Sequence, residues 1–137
     1  MKLFHVSKDG GPDSNVTGYW LIEWKRFFSI VLLRFKKGTR EAYHTHAFDA
    51  VSWVLKGEMH EQVPYFVVPG LAGNIVTPLK PSWKPIYTSK HRLHRVEGIA
   101  PNTWALSFRG PWVDKWVEYF DDSRGFVVLT HGRKVVK

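Results

Sequence analysis

The sequence predicts an all-β fold, an antiparallel barrel or sandwich, on three observations. Apolar or alternating runs recur at strand length: FFSIVLLRF, AVSWVLKG, YFVVPG, WALSFRG and FVVLTHG. Eight prolines and eleven glycines separate these runs, which suits a sheet built from short hairpins better than crossover helices. No long window carries helical periodicity without an intervening Pro or Gly, so helix is a minor component at most.

Taken in order, residues 1–18 read as an N-terminal arm or edge strand, 19–120 as a barrel core and 121–137 as a C-terminal strand. A chain of 137 residues buries a core by itself, so one domain is expected. The stretch from Pro64 to Pro85 is dense in Pro and Gly and reads as a long connection closing one mouth of the barrel. Its GLAGN lacks the lysine and spacing of a phosphate-binding loop. PWVDKWVEYFDD fits either one or two helical turns or another strand.

Composition narrows the function. With 44% hydrophobic and 23% charged residues the chain is of the ordinary globular class. Cysteine is absent, which excludes a disulfide framework and thiolate ligands and makes a reducing, cytoplasmic setting the expectation. Any metal must therefore use histidine or carboxylate. The opening MKLFHVSKDGGPDS turns polar before an apolar signal core develops, and FFSIVLL is too short to span a bilayer, so neither export nor membrane insertion is expected. A net charge of +8 favours anionic partners. The basic residues are dispersed from Lys2 to Lys137 rather than gathered in an arm, so a small anionic molecule is the expected partner, with nucleic acid second to it.

The chemistry concentrates in REAYHTHAFDAVSWVLKGEMHE, residues 40 to 61. In an extended strand alternate side chains share a face, so His44 and His46 project together and can reach one ion. Asp49 is the nearest carboxylate; strand parity sets it on the opposite face unless the AFD turn rotates it inward, and a turn aspartate is its other reading. Glu58 and Glu61 are expected to be solvated.

Gly38 precedes His44 by six residues, giving G-x5-H-x-H, and Gly57 closes the next apolar run. This spacing resembles the first motif of the cupin superfamily. The chain departs from that motif where the usual glutamate would fall, at Ala50 or Val51. SKHRLHRVEG then stands where cupins place a second motif, though without its P-x-G turn or its asparagine in register. The order HTHAFDAVSWVLKGE, HRVE, NTWALSFRGPW is similar to small cupin-like proteins of bacteria and phages over roughly residues 20 to 119. The resemblance implies a jelly-roll barrel, or double-stranded β-helix. It also implies one divalent metal held by His44, His46 and a histidine of the second motif. His94 is the expected third ligand, His91 the alternative, and Asp49 a less secure addition. His5, His60 and His131 lack a partner at metal spacing and receive no role.

Three imidazoles suit Fe(II), Zn(II), Ni(II), Mn(II) or Cu(II). By analogy with cupin-type thiol and diketone dioxygenases, iron is the first expectation. A 2-oxoglutarate oxygenase is second-line, because His46 stands where that family places a carboxylate. Arginine is costly to bury without an anion, so Arg34, Arg92, Arg95 and Arg109 are weighed as substrate anchors against plain outer-face residues. Arg92 shares the parity of His94 and leads, with Arg109 next. Tyr43, Phe48, Trp53 and Trp104 are candidate pocket walls, with core packing as the alternative. The competing functions are a metal enzyme, a non-catalytic small-molecule binder, and a metal-free epimerase pairing His44 or His46 with Tyr43 or Tyr87. A homodimer is expected from the resemblance alone.

Overall fold

The computed structural model describes residues 1–11, 14–39, 42–67, 70–120 and 124–136. In chain order the strands are β1 (Lys2–Lys8), β2 (Val16–Trp24), β3 (Phe28–Phe35), β4 (Gly38–Thr39), β5 (Tyr43–His44), β6 (Ala50–Lys56) and β7 (Met59–Val67). There follow β8 (Gly70–Leu79), β9 (Ile86–Thr88), β10 (Arg95–Gly98), β11 (Thr103–Arg109), β12 (Lys115–Phe120), β13 (Gly125–Thr130) and β14 (Lys134–Val135). Among the described residues the one helical element is a 3-10 turn at His131–Arg133. No helix among the described residues is long and apolar enough to cross a membrane.

All strand pairings are antiparallel. One sheet runs β1-β2-β3-β11-β6-β9. Two four-stranded pieces, β4-β10-β7-β8 and β14-β13-β12-β5, make up the rest. These pieces meet where His44 and His94 exchange both backbone hydrogen bonds, at 2.8 and 3.0 Å. The result is an all-β jelly-roll, as the sequence predicts.

Period-two alternation selects the inner face. In β11 it turns Thr103, Ala105, Ser107 and Arg109 inward, and in β3 Ser29, Val31 and Leu33. The apolar core is divided among three clusters, around Phe48 and Trp116, around Trp20 and Val31, and around Val54 and Met59. Gly57 ends β6 at φ +88°, and a Cβ there would meet the Thr103 Oγ1 at 2.5 Å and its Cα at 2.8 Å, so the motif glycine is required twice over.

Two expectations change. Most of Pro64 to Pro85 is not a connection, because β7 and β8 pair from Met59–Leu79 to Val67–Gly70. Proline is tolerated there because Pro78 lies on the sheet edge, and Pro64 lies beyond Gln62, where the pairing with β10 stops. PWVDKWVEYFDD resolves as a strand over Lys115–Phe120, with Trp116 and Glu118 inward; its last two residues, Asp121 and Asp122, lie outside the described residues, as do Val68 and Pro69 of YFVVPG.

Candidate metal centre

His44 and His46 lie on the same side of the chain leaving β5, and His94 faces His44 across the bridge that joins the two sheet pieces. Directly opposed residues of an antiparallel pair carry neighbouring side chains on one face, so the backbone pairing itself brings His94 to the other two. The ring centroids form a near-equilateral triangle, 4.9 Å for His44–His46, 5.1 Å for His44–His94 and 5.0 Å for His46–His94. The planes cross at 66° to 81°, so the rings converge instead of stacking. One nitrogen from each lies within 4.8 Å of the others. His44 and His94 are buried.

Glu61 defines the orientation of His94. Its Oε2 lies 2.7 Å from His94 Nδ1, and its two carboxylate oxygens take the Arg92 guanidinium at 2.7 and 3.0 Å. Burial alone would raise the Glu61 pKa; hydrogen bonds from His94 and Arg92 outweigh it and hold the carboxyl at about 2, below its ordinary 4.5. An ionised carboxylate only accepts, so Nδ1 carries the imidazole proton and Nε2 presents its lone pair. That buried Nε2 has no hydrogen-bond partner among the described residues. An oriented, desolvated donor beside two further imidazoles fits a divalent metal ion.

The centre opens into a cavity of about 680 Å³ between the sheets, a volume suited to a small molecule. Four carboxylates line it, and each has a cationic or imidazole partner: Asp9 with Arg109, Glu23 with His5, Glu61 with His94 and Arg92, Glu118 with Arg133. Lys2, Lys8, Lys25 and Lys36 also line it and make no salt bridge to another described residue. The cavity is therefore net positive.

The other sequence candidates are distributed differently. Asp49 does not join the triad: its Oδ1 accepts the Lys90 amide at 2.7 Å, the turn role. His91 is exposed. Arg92 leans on Glu61 and does not line the cavity, because the chain is not yet a strand at 92 and parity with His94 does not hold. Tyr43 is buried, but its hydroxyl accepts from Asn74 and Arg95, and Arg95 lies 4.3 Å over its ring. Trp53 donates to the Trp83 carbonyl and meets Phe108, away from the cavity, while Trp104 packs with Tyr19 and Arg34. Tyr87 is 64% exposed, so neither tyrosine of the epimerase pairing reaches the histidines. Arg34 binds Asn102 on the outer surface. Phe48 and Arg109 do line the cavity.

Glu61, expected to be solvated, is buried, and so is Glu118, paired in register with His44 and not marked by any motif. Both follow an inward apolar residue by two positions, Met59 and Trp116, and that alternation was the available signal. Glu58 is half-buried and bonds His60 at 3.0 Å.

No protein-family model and no curated protein matches the chain. Solved structures do. A cupin-2 domain protein from Rhodospirillum rubrum superposes with TM-score 0.59 at 14% identity, over 88% of this chain and 77% of that one. A sugar phosphate isomerase of the cupin superfamily from Silicibacter pomeroyi gives 0.56 at 14% identity, over 100% and 97%. The iron(II) form of HppE gives 0.55 at 14% identity, over 77% and 55%. The chain shares the jelly-roll fold of these cupin structures. At these identities the likeness is one of architecture, and function has to be argued from the site.

Proposed function

We propose that this chain is a mononuclear metal protein of cupin type, with His44, His46 and His94 as ligands, that acts on a small anionic molecule in its cavity. The observation that carries this reading is the convergent histidine triangle with the buried Nε2 of His94 fixed by Glu61. Iron(II) is the leading metal and oxygenation the leading reaction, a choice supported by the presence of an iron(II) protein, HppE, among the structural neighbours.

A divalent metal there would supply Lewis acidity and, as iron, dioxygen activation. The chain's own residues do the rest. Glu61 holds His94 in one tautomer, and the cavity lysines draw in the anionic group. Phe48 packs 5.3 Å from His46 and 5.4 Å from Trp112, walling the approach to the triad with apolar rings that exclude water.

Dioxygen uptake by iron(II)-loaded protein, measured across small carboxylates and phosphates, tests the reaction. Uptake that depends on one class of compound and disappears in His94→Ala is expected. Turnover of a sugar phosphate by zinc- or nickel-loaded protein without dioxygen uptake would replace oxygenation with isomerisation, the activity of the Silicibacter neighbour. Binding with no turnover under any metal would leave a non-catalytic binder.

A further inference from the structure

Arg109 is the cation most firmly built into the cavity. Only 5% of it is exposed, and its guanidinium lies 4.6 Å from the Phe48 ring and 5.3 Å from the Trp20 ring. Nε approaches Ser107 Oγ at 3.4 Å, so the fork is held from three sides and points its two terminal nitrogens one way. Those nitrogens meet Asp9, Nη1 to Oδ1 at 3.0 Å and Nη2 to Oδ2 at 2.8 Å, a bidentate carboxylate pair.

The two partners are not equally fixed. Arg109 sits at the end of β11, paired on both sides in the middle of the six-stranded sheet. Asp9 lies just past β1, the edge strand, and its side chain is 28% exposed. Its backbone is held, with the Asp9 N–H donating to the Val16 carbonyl at 2.9 Å and Ser14 Oγ donating to the Asp9 carbonyl, so Asp9 can leave Arg109 by rotation about its own side-chain bonds. A rigid cationic fork in a ligand-sized cavity is thus capped by a partly exposed carboxylate from the end of the edge strand.

We propose that Arg109 is the anchor for a small carboxylate ligand and that Asp9 is its intramolecular stand-in, displaced when that ligand binds. A planar carboxylate replaces a planar carboxylate, so the buried guanidinium stays paired throughout the exchange. The rings of His46 and Phe48 and the Arg109 guanidinium follow one another at 5.3 and 4.6 Å, so a ligand anchored at Arg109 extends along Phe48 toward the triad. Only that last placement rests on the metal reading; the anchor can be tested in metal-free protein.

The test is titration of metal-free protein with succinate, and separately with inorganic phosphate, followed by tryptophan fluorescence and thermal unfolding. Asp9→Asn keeps the shape and removes the competitor, so succinate should bind about tenfold or more tightly than to the native chain. Phosphate, which lacks the planar fork, should gain less. The double variant Asp9→Asn/Arg109→Gln leaves no buried ion unpaired and should not respond to succinate. If Asp9→Asn does not fold alone, refolding with succinate but not with chloride of equal ionic strength is the expected result. Equal succinate affinity in the native chain and Asp9→Asn, binding that survives in the double variant, or no rescue by succinate would overturn the proposal. Metal content measured on the same samples separates this outcome from the fate of the metal centre.

Discussion

Glu61 is the residue on which the proposed centre would depend most after its three histidines. It is buried and ionised, and it bonds both His94 and Arg92. Glu61→Gln keeps an acceptor near His94 but removes the charge, and should weaken metal binding by about 10- to 100-fold in a chelator competition. Unchanged affinity would show that the carboxylate does not orient the ligand. The same group makes acid stability testable. Its pKa is lower in the folded chain, about 2 against 4.5, so its contribution is complete above that ordinary value and is lost as pH falls toward 2. Urea melts at pH 6 and pH 3 should show the native chain losing more stability than Glu61→Gln, and parallel losses would contradict the assignment.

At the scale of elements, the turn after β6 and the bridge between β5 and His94 set the site. Gly57→Ala places a methyl against Thr103 at a positive φ and should cost on the order of 2 to 3 kcal/mol in denaturant unfolding. A loss below half of that would mean the turn relaxes freely. Much at this scale is legible in the sequence. H-x-H on an extended chain, Gly38, Gly57 and the five apolar runs mark the strands and two of the clustered histidines. What is not legible is pairing. That His94, rather than His91, faces His44 depends on contacts fifty residues apart in the chain; the sequence ranks His94 first but keeps His91 as an alternative. Pro64 and Pro78 concealed the β7–β8 hairpin because edge and end positions, where proline is tolerated, are known only once the sheet order is known. Residue type alone makes Trp53 and Tyr43 candidate walls, yet each turns its polar atom to a partner outside the cavity.

For the whole molecule, the His44–His94 bridge joins the two four-stranded pieces, so an ion shared by His44, His46 and His94 also ties those pieces together. A ligand at a hundred times its dissociation constant adds about 2.7 kcal/mol to stability, which for a chain of this size raises Tm by on the order of 10 °C. Thermal scans of metal-free and metal-loaded protein should show that rise, and His46→Ala should abolish it; equal Tm values would separate the centre from the stability of the fold. The central claim is that the triad binds one metal, and elemental analysis of untagged protein by plasma mass spectrometry tests it most directly, alongside His44→Ala, His46→Ala and His94→Ala. The account predicts close to one divalent ion per chain, lost in each variant while the fold is kept. Protein that carries no metal and takes up none from any divalent salt, or that keeps its metal in all three variants, would contradict it.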